Sequence, residues 1–169
     1  MTEQPDLPHE TACVLQAYDR LKTRFAEIGA LTECQEIMLR DMDTAMPSGS
    51  GYGRTVQLET LATQKHRLLA DDAVGDWLET TESQRDKLDT AHQRNLSLMR
   101  RRHDIARAMP DALESEHARL AAHGGHMHKN WKAHGAFSNE IRDHLEEVFT
   151  MARRRGEVIA DCLGLAEPY

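Results

Sequence analysis

The sequence predicts an all-α fold, in which six to seven helices pack as an antiparallel, bundle-like single domain over residues 1–169. Aromatic residues make up only 5% of the chain, and helix-forming Ala, Leu, Glu and Arg recur throughout it. A β-sandwich or barrel would contain more β-branched and aromatic residues. Apolar residues also recur at spacings of three and four, and no segment alternates apolar and polar residues for long enough to predict a sheet.

The first part of the chain predicts two helices separated by a break. An apolar stripe with the spacing of a helix face consists of Val14, Tyr18, Leu21, Phe25 and Ile28. Gly29 then predicts a stop, because glycine readily adopts the conformation that ends many helices. Thr32 and Gln35 form a capping-box pattern, which predicts a second helix that ends at Met46 and Pro47.

The glycine-rich residues 48–53 predict a flexible loop before a third helix. That helix is expected to bury five aliphatic residues, Val56, Leu58, Leu61, Leu68 and Leu69. A short fourth element is predicted over residues 73–78.

The second half of the chain predicts three longer helices. Thr81 and Gln84 repeat the capping-box pattern, and they are expected to open a helix that ends near Met109. Pro110 suits the first turn of the next helix, and the two glycines at 124–125 predict a kink or break within it. The last helix is expected to bury one stripe, which consists of Ile141, Leu145, Val148, Ala152 and Ile159.

The composition excludes several classes of function. The formal net charge of -7 argues against a general nucleic-acid binder, which needs a basic face. No apolar run approaches the ~20 residues that cross a bilayer, and the N-terminal segment lacks the apolar core of a signal peptide. Cys13, Cys34 and Cys162 show no C-x-x-C spacing and suit small buried side chains in a reducing compartment. We therefore predict a cytoplasmic protein with neither a nucleic-acid nor a membrane partner.

Two histidine-containing segments are the candidates for a metal site, and neither is complete. Glu114 and His117 form an E-x-x-H pair, but a di-metal bundle needs two such pairs and two further carboxylates. His123, His126 and His128 form the densest histidine cluster, in which no carboxylate or thiolate is placed to close a site. The sequence therefore predicts no metal and no cofactor on this chain.

One stretch of the sequence matches a longer motif. Asp41, Thr44, Met46 and Pro47 fit the pattern Trp-Asp-x-x-Thr-x-Met-Pro, with Arg40 in place of the tryptophan. The next helix fits Arg-x-x-Gln-Leu-x-x-Leu followed by a histidine, and the matching residues are Arg54, Gln57, Leu58, Leu61 and His66. With these residues the chain resembles the N-terminal portion of the carboxypeptidase Taq family of zinc metallocarboxypeptidases, and the similarity extends over nearly its whole length.

The resemblance implies what the matching residues do. Family members hold zinc through an H-E-x-x-H motif that lies beyond the matched portion, so no catalytic residue is carried over to this sequence. Asp41, Arg54 and His66 are instead expected to hold the helices together, and Asp41 is expected to cap a helix end or to pair with Arg54. Because relatives commonly form homodimers, the resemblance also implies a homo-oligomer.

Three hypotheses about function remain open. The first is a truncated relative that lacks the metal site, is not catalytic by itself, and acts as a helical interaction or oligomerisation module through exposed apolar helix faces. The second is a portion of a metallocarboxypeptidase whose active site is completed in trans by a separate chain. The third is a helical-bundle metal-binding protein that uses Glu114, His117 and the histidine cluster.

Overall fold

The computed structural model describes residues 9–134 and 139–166, and within them the side chains of all residues except 9–12, 48, 126 and 128–134. Six α-helices follow one another: α1 (His9–Thr44), α2 (Gly51–Ala70), α3 (Asp72–Glu82), α4 (Thr90–Ala108), α5 (Asp111–His134) and α6 (Asn139–Leu163). No strand occurs in these two ranges. The prediction of an all-α, six- to seven-helix domain is confirmed.

The predicted break at Gly29 is wrong, because α1 continues through it for 36 residues. The residues expected to cap a second helix have other partners. The Thr32 hydroxyl donates to the Ile28 carbonyl one turn earlier, and the Gln35 amide donates to the Leu58 carbonyl on α2 at 3.1 Å. Packing on both sides of Gly29 thus outweighs the roughly 1 kcal/mol that a glycine costs inside a helix.

Two local expectations around the shorter helices also fail. The segment predicted as a flexible loop forms a single 3₁₀ turn, Ser48–Ser50, and Gly51 already begins α2. Thr81 does not open a helix: it lies inside α3, fully buried, and its hydroxyl donates to the Trp77 carbonyl. Asp89 caps α4 instead, since its carboxylate accepts from the His92 backbone N–H at 2.8 Å.

The helix α5 begins after Pro110 and α4 ends before Met109, as predicted, but the glycines at 124–125 do not break α5. Gly124 instead lies close to a side chain of α6. A Cβ atom at this position would lie 2.8 Å from Nε2 of the buried His144 on α6. The absence of a side chain at Gly124 therefore leaves room for the His144 ring against α5.

The helices pack antiparallel around α2 and α5, which form the most extensive contact. Arg24 near the middle of α1 donates to the Leu68 carbonyl and to Asp71, whereas Asp41 at its end contacts Arg54, so α1 and α2 run in opposite directions. The helix α3 packs on α1 and α4, α4 packs on α2, and α6 packs on α5 and α4. No helix in the described ranges is long and apolar enough to cross a membrane.

Three apolar clusters form the core. The largest joins α1, α3 and α4 and consists of Tyr18, Leu21, Val74, Leu78, Leu88, Leu96 and Met99. The second joins α1, α2 and α5 and consists of Met42, Met46, Leu58 and Ala122. The third joins the region around α5 to α6 and consists of Met109, Leu113, Leu120 and Met151.

Several side chains predicted to be buried are exposed. Leu145 and Ala152 on α6 face outward, and the buried positions of that helix are His144, Met151, Gly156 and Ala160. On α2, Leu58 is buried as predicted but Val56 is exposed. Cys13 and Cys34 are exposed as well, and only Cys162 is partly covered.

Candidate functional site

The motif that begins at Asp41 forms the junction between α1 and α2. The Asp41 carbonyl accepts from the backbone N–H groups of Ala45 and Met46 at 3.0 and 2.9 Å, which closes the end of α1. Its carboxylate accepts from the Arg54 guanidinium, and the structure thereby contains the pair that the sequence suggested. The Thr44 hydroxyl donates to the Arg40 carbonyl at 2.8 Å within the last turn of α1.

The apolar part of this junction rests on methionines. Met46 is buried with Met42 and Leu58, whereas Arg40, Pro47 and Gln57 are exposed. The buried apolar contacts described at this junction thus come largely from methionines, whose flexible side chains fill irregular space.

His66 lies at the far end of α2 and ties it to α5. The ring is only 6% exposed, and its Nε2 lies 3.0 Å from Oδ1 of Asp111 in the first turn of α5. His66 follows Arg54 by twelve positions, which places these two residues about 18 Å apart along the helix axis. The motif residues therefore do not converge on one reaction centre; they join α2 to α1 at one end and to α5 at the other.

Two adjoining cavities, of about 210 and 220 Å³, lie along α2 between these two contacts. They share Ala62, Lys65 and Glu114. The first cavity extends toward α4 and α6 and the second toward α1 and α5. We call the first cavity the α2 cleft.

The charged groups of this region are held by specific partners. The Lys65 ammonium donates to the side-chain oxygen of Gln35, and Glu114 accepts from Arg155 on α6. Burial, followed by the nearby charge of Arg102, lowers the pKa of Lys65. Burial also lowers the pKa of His117, and the positive charge of Arg155 adds to the effect. Both shifts indicate a partly desolvated region in which positive charge is in excess.

The structure describes the side chains of three of the five metal candidates. Glu114 and His117 both line the second cavity, where Glu114 is engaged by Arg155. His123 is exposed and packs edge-on against His144, with ring centroids 5.2 Å apart. The side chains of His126 and His128 lie outside the described residues.

No group of three or more His, Cys, Asp or Glu side chains able to hold a metal ion occurs in the part of the chain that the structure describes. The absence of a metal or cofactor on this chain stays a prediction.

The sequence did not predict that the residues of the α2 cleft form a site. Lys65 and Arg102 belong to charged stretches that are typical of solvated helix faces, and their neighbourhood depends on how α2 and α4 cross. The position of Asp111, which contacts His66, could be predicted locally, since an acidic residue directly after Pro110 marks a helix start.

Comparison with known families identifies the family of this chain. The model of the family described as carboxypeptidase Taq (M32) metallopeptidase matches residues 20–167. The chain belongs to this family, and the resemblance seen in the motif residues is confirmed. Comparison with curated proteins found no match, and comparison with solved structures found none either.

Proposed function

We propose that this chain acts as a helical interaction module of the metallocarboxypeptidase family, and that it associates with a second copy of itself through α6. The observation that carries the proposal is an exposed apolar stripe at the middle of that helix. Leu145 is 39% and Phe149 61% exposed, although both are large apolar residues on one face. Exposed apolar surface of this kind marks interaction sites in many proteins.

The charges around this stripe favour a second copy as its partner. The exposed α6 face, as we define it, comprises Arg142, Leu145, Glu146, Phe149, Ala152 and Arg153. Glu146 precedes Phe149 by three residues and Arg153 follows it by four. An antiparallel pairing of two α6 helices centred beside Phe149 therefore sets each Glu146 against the other copy's Arg153.

Such an arrangement is self-complementary, as the interface of a two-fold dimer must be. It places the two Phe149 rings near the axis and surrounds them with opposite charges. A single helix face is smaller than a standard interface of about 800 Å² per partner, so we expect a dissociation constant on the order of 10 μM.

The proposal assigns no peptide hydrolysis to these 169 residues by themselves. Zinc-dependent hydrolysis requires three protein ligands and an activated water, and the printed sequence contains no H-E-x-x-H pair. Cytoplasmic residence is part of the proposal, because Cys13, Cys34 and Cys162 are free thiols, which a reducing compartment preserves.

Family membership also favours a second candidate, in which this unit completes a metallocarboxypeptidase active site in trans. It would then dock on a catalytic chain of the same family. Zinc-dependent release of C-terminal residues that appears only after the two chains are mixed would support this candidate, and an unchanged rate after mixing would exclude it.

Sedimentation equilibrium across concentrations from tenfold below to tenfold above the expected dissociation constant tests the α6 dimer. The chain should shift from monomer to dimer within this range. Phe149→Glu should abolish the shift, because it places two carboxylates at the two-fold axis. Tyr52→Glu is the matched control, since Tyr52 is 85% exposed on α2, outside the exposed α6 face, and its replacement should leave association unchanged.

A charge swap makes the test specific for the antiparallel pairing. Glu146→Arg and Arg153→Glu should each weaken the dimer, and the double variant should restore it because the pairs are then merely reversed. A monomer at every concentration, a dimer that tolerates Phe149→Glu, or a double variant no stronger than the single ones would each overturn the proposal.

A further inference from the structure

The α2 cleft holds three cations and one carboxylate. Lys65, Arg102 and Arg155 line it together with Glu114. Glu114 pairs with Arg155, and among the described residues neither Lys65 nor Arg102 forms an ion pair with a carboxylate. A local excess of positive charge in a chain of net charge -7 is not explained by the general composition.

The two unpaired cations are held in place by neutral groups. The Lys65 ammonium donates to the Gln35 side chain, and the Arg102 guanidinium lies over the Phe25 ring, 5.2 Å from its centre. Neither partner neutralises a charge. Burial and the charge of Arg102 lower the pKa of Lys65 more than Glu114 and Glu36 raise it.

The remaining wall of the cleft is aliphatic. It is formed by Leu69 on α2, Ile105 on α4 and Met109 after it. A cavity of about 210 Å³ is below the roughly 300 Å³ at which drug-sized pockets begin, so it suits a small molecule. Its ligand should therefore combine a negative head group with a short apolar chain.

We propose that the α2 cleft binds a small organic carboxylate. The carboxylate lies between Lys65 and Arg102, where it supplies the missing negative charge, and the apolar chain lies against Leu69, Ile105 and Met109. An inorganic anion such as phosphate uses the charge but leaves the aliphatic wall uncovered. The site is independent of the proposed dimer, because the cleft and the exposed α6 face share no residue.

Isothermal titration with hexanoate, hexan-1-ol and inorganic phosphate tests the site. Hexanoate should bind one per chain, with a dissociation constant on the order of 1 mM. The alcohol has the same chain without the charge, and phosphate has the charge without the chain, so both should bind at least tenfold more weakly. Equal binding of hexanoate and the alcohol, or equal binding of hexanoate and phosphate, would overturn the assignment.

Two variants connect the binding to the residues named. Lys65→Met keeps most of the length of the side chain, removes the charge and should weaken hexanoate binding about tenfold. Lys22→Met makes the same substitution at an exposed position of α1 and should bind hexanoate as the original chain does.

Arg102→Gln changes an exposed side chain and should also weaken binding, so it decides the question if Lys65→Met does not fold, as judged by circular dichroism. Unchanged hexanoate binding in the folded variants would exclude the cleft.

Discussion

The α1–α3–α4 end of the molecule and the α5–α6 pair are built by different means. At the first end, Leu21, Val74, Leu78 and Leu96 are fully buried aliphatic side chains at helical spacing. In the second region, a smaller apolar cluster is joined by the His144 ring of α6, which packs against Gly124 of α5. Aliphatic burial stabilises the first region, whereas the second depends in addition on a glycine that leaves room for a histidine ring. The two regions should therefore respond differently to the same kinds of substitution.

The largest effect is expected for a truncation in the aliphatic region. Leu78→Ala removes a fully buried side chain and should lower the free energy of unfolding by about 2–5 kcal/mol. Leu145→Ala on α6 makes the same change at an exposed position and should alter it by about 0.5 kcal/mol or less. Urea unfolding followed by circular dichroism, well below the dimer's dissociation constant, measures both. Equal losses at the two positions would contradict the comparison.

A smaller effect of opposite sign in the two regions is expected from glycine substitutions. Gly124→Ala forces a Cβ to within 2.8 Å of Nε2 of His144 and should cost about 1–3 kcal/mol. Gly29→Ala, inside α1 with nothing within 4 Å of the added Cβ, should stabilise by about 0.4–1 kcal/mol.

The double variant Gly124→Ala/His144→Ala tests the reason for that loss. It should destabilise by less than the sum of its single changes, since the clash is then absent. Additive losses would show that Gly124 matters for another reason.

The same contrast explains what the sequence could predict. The stripe through Val14, Tyr18, Leu21 and Ile28 is apolar, regularly spaced and buried, so its period identified both the helix and its inner face. On α6 the period identified the helix, but two of the five residues in the predicted stripe, Leu145 and Ala152, are exposed. Its inner positions include His144 and Gly156, which a hydrophobic pattern does not count, while the exposed Leu145 completes an apparent stripe.

Some of the site residues could be predicted from the sequence and others could not. The Asp41–Arg54 pair and the end of α1 shortly before Pro47 were predictable because a local motif encodes them. Breaks at Gly29 and at residues 124–125 were wrongly predicted, since glycine's local preference yields to tertiary packing on both sides. The α2 cleft was not visible, because Lys65 and Arg102 become neighbours only through the crossing of α2 with α4.

The smallest expected effect is a difference in pH dependence between the two regions. Burial lowers the pKa of His144, the neighbouring His123 and Arg119 lower it further, and Glu147 opposes the shift. Burial and the charge of Arg155 lower the pKa of His117, and Glu114 opposes that shift. An unfolded histidine takes up a proton near pH 6.5, whereas these two remain neutral to lower pH in the folded chain. Over that interval the unfolded state binds more protons, so stability falls as the pH drops below about 6.5.

The aliphatic end contains a carboxylate that should respond in stronger acid. There the hydrogen bond from Arg24, followed by that from the Ala73 backbone, lowers the pKa of Asp71 below its ordinary value, so its contribution is lost only as the carboxylate protonates. Unfolding free energies measured from pH 7.5 downward should therefore fall first in the histidine window and again in the carboxylate window. The double variant His117→Gln/His144→Gln should remove most of the first decrease and leave the second. If the first decrease persists unchanged, groups other than these two histidines cause it.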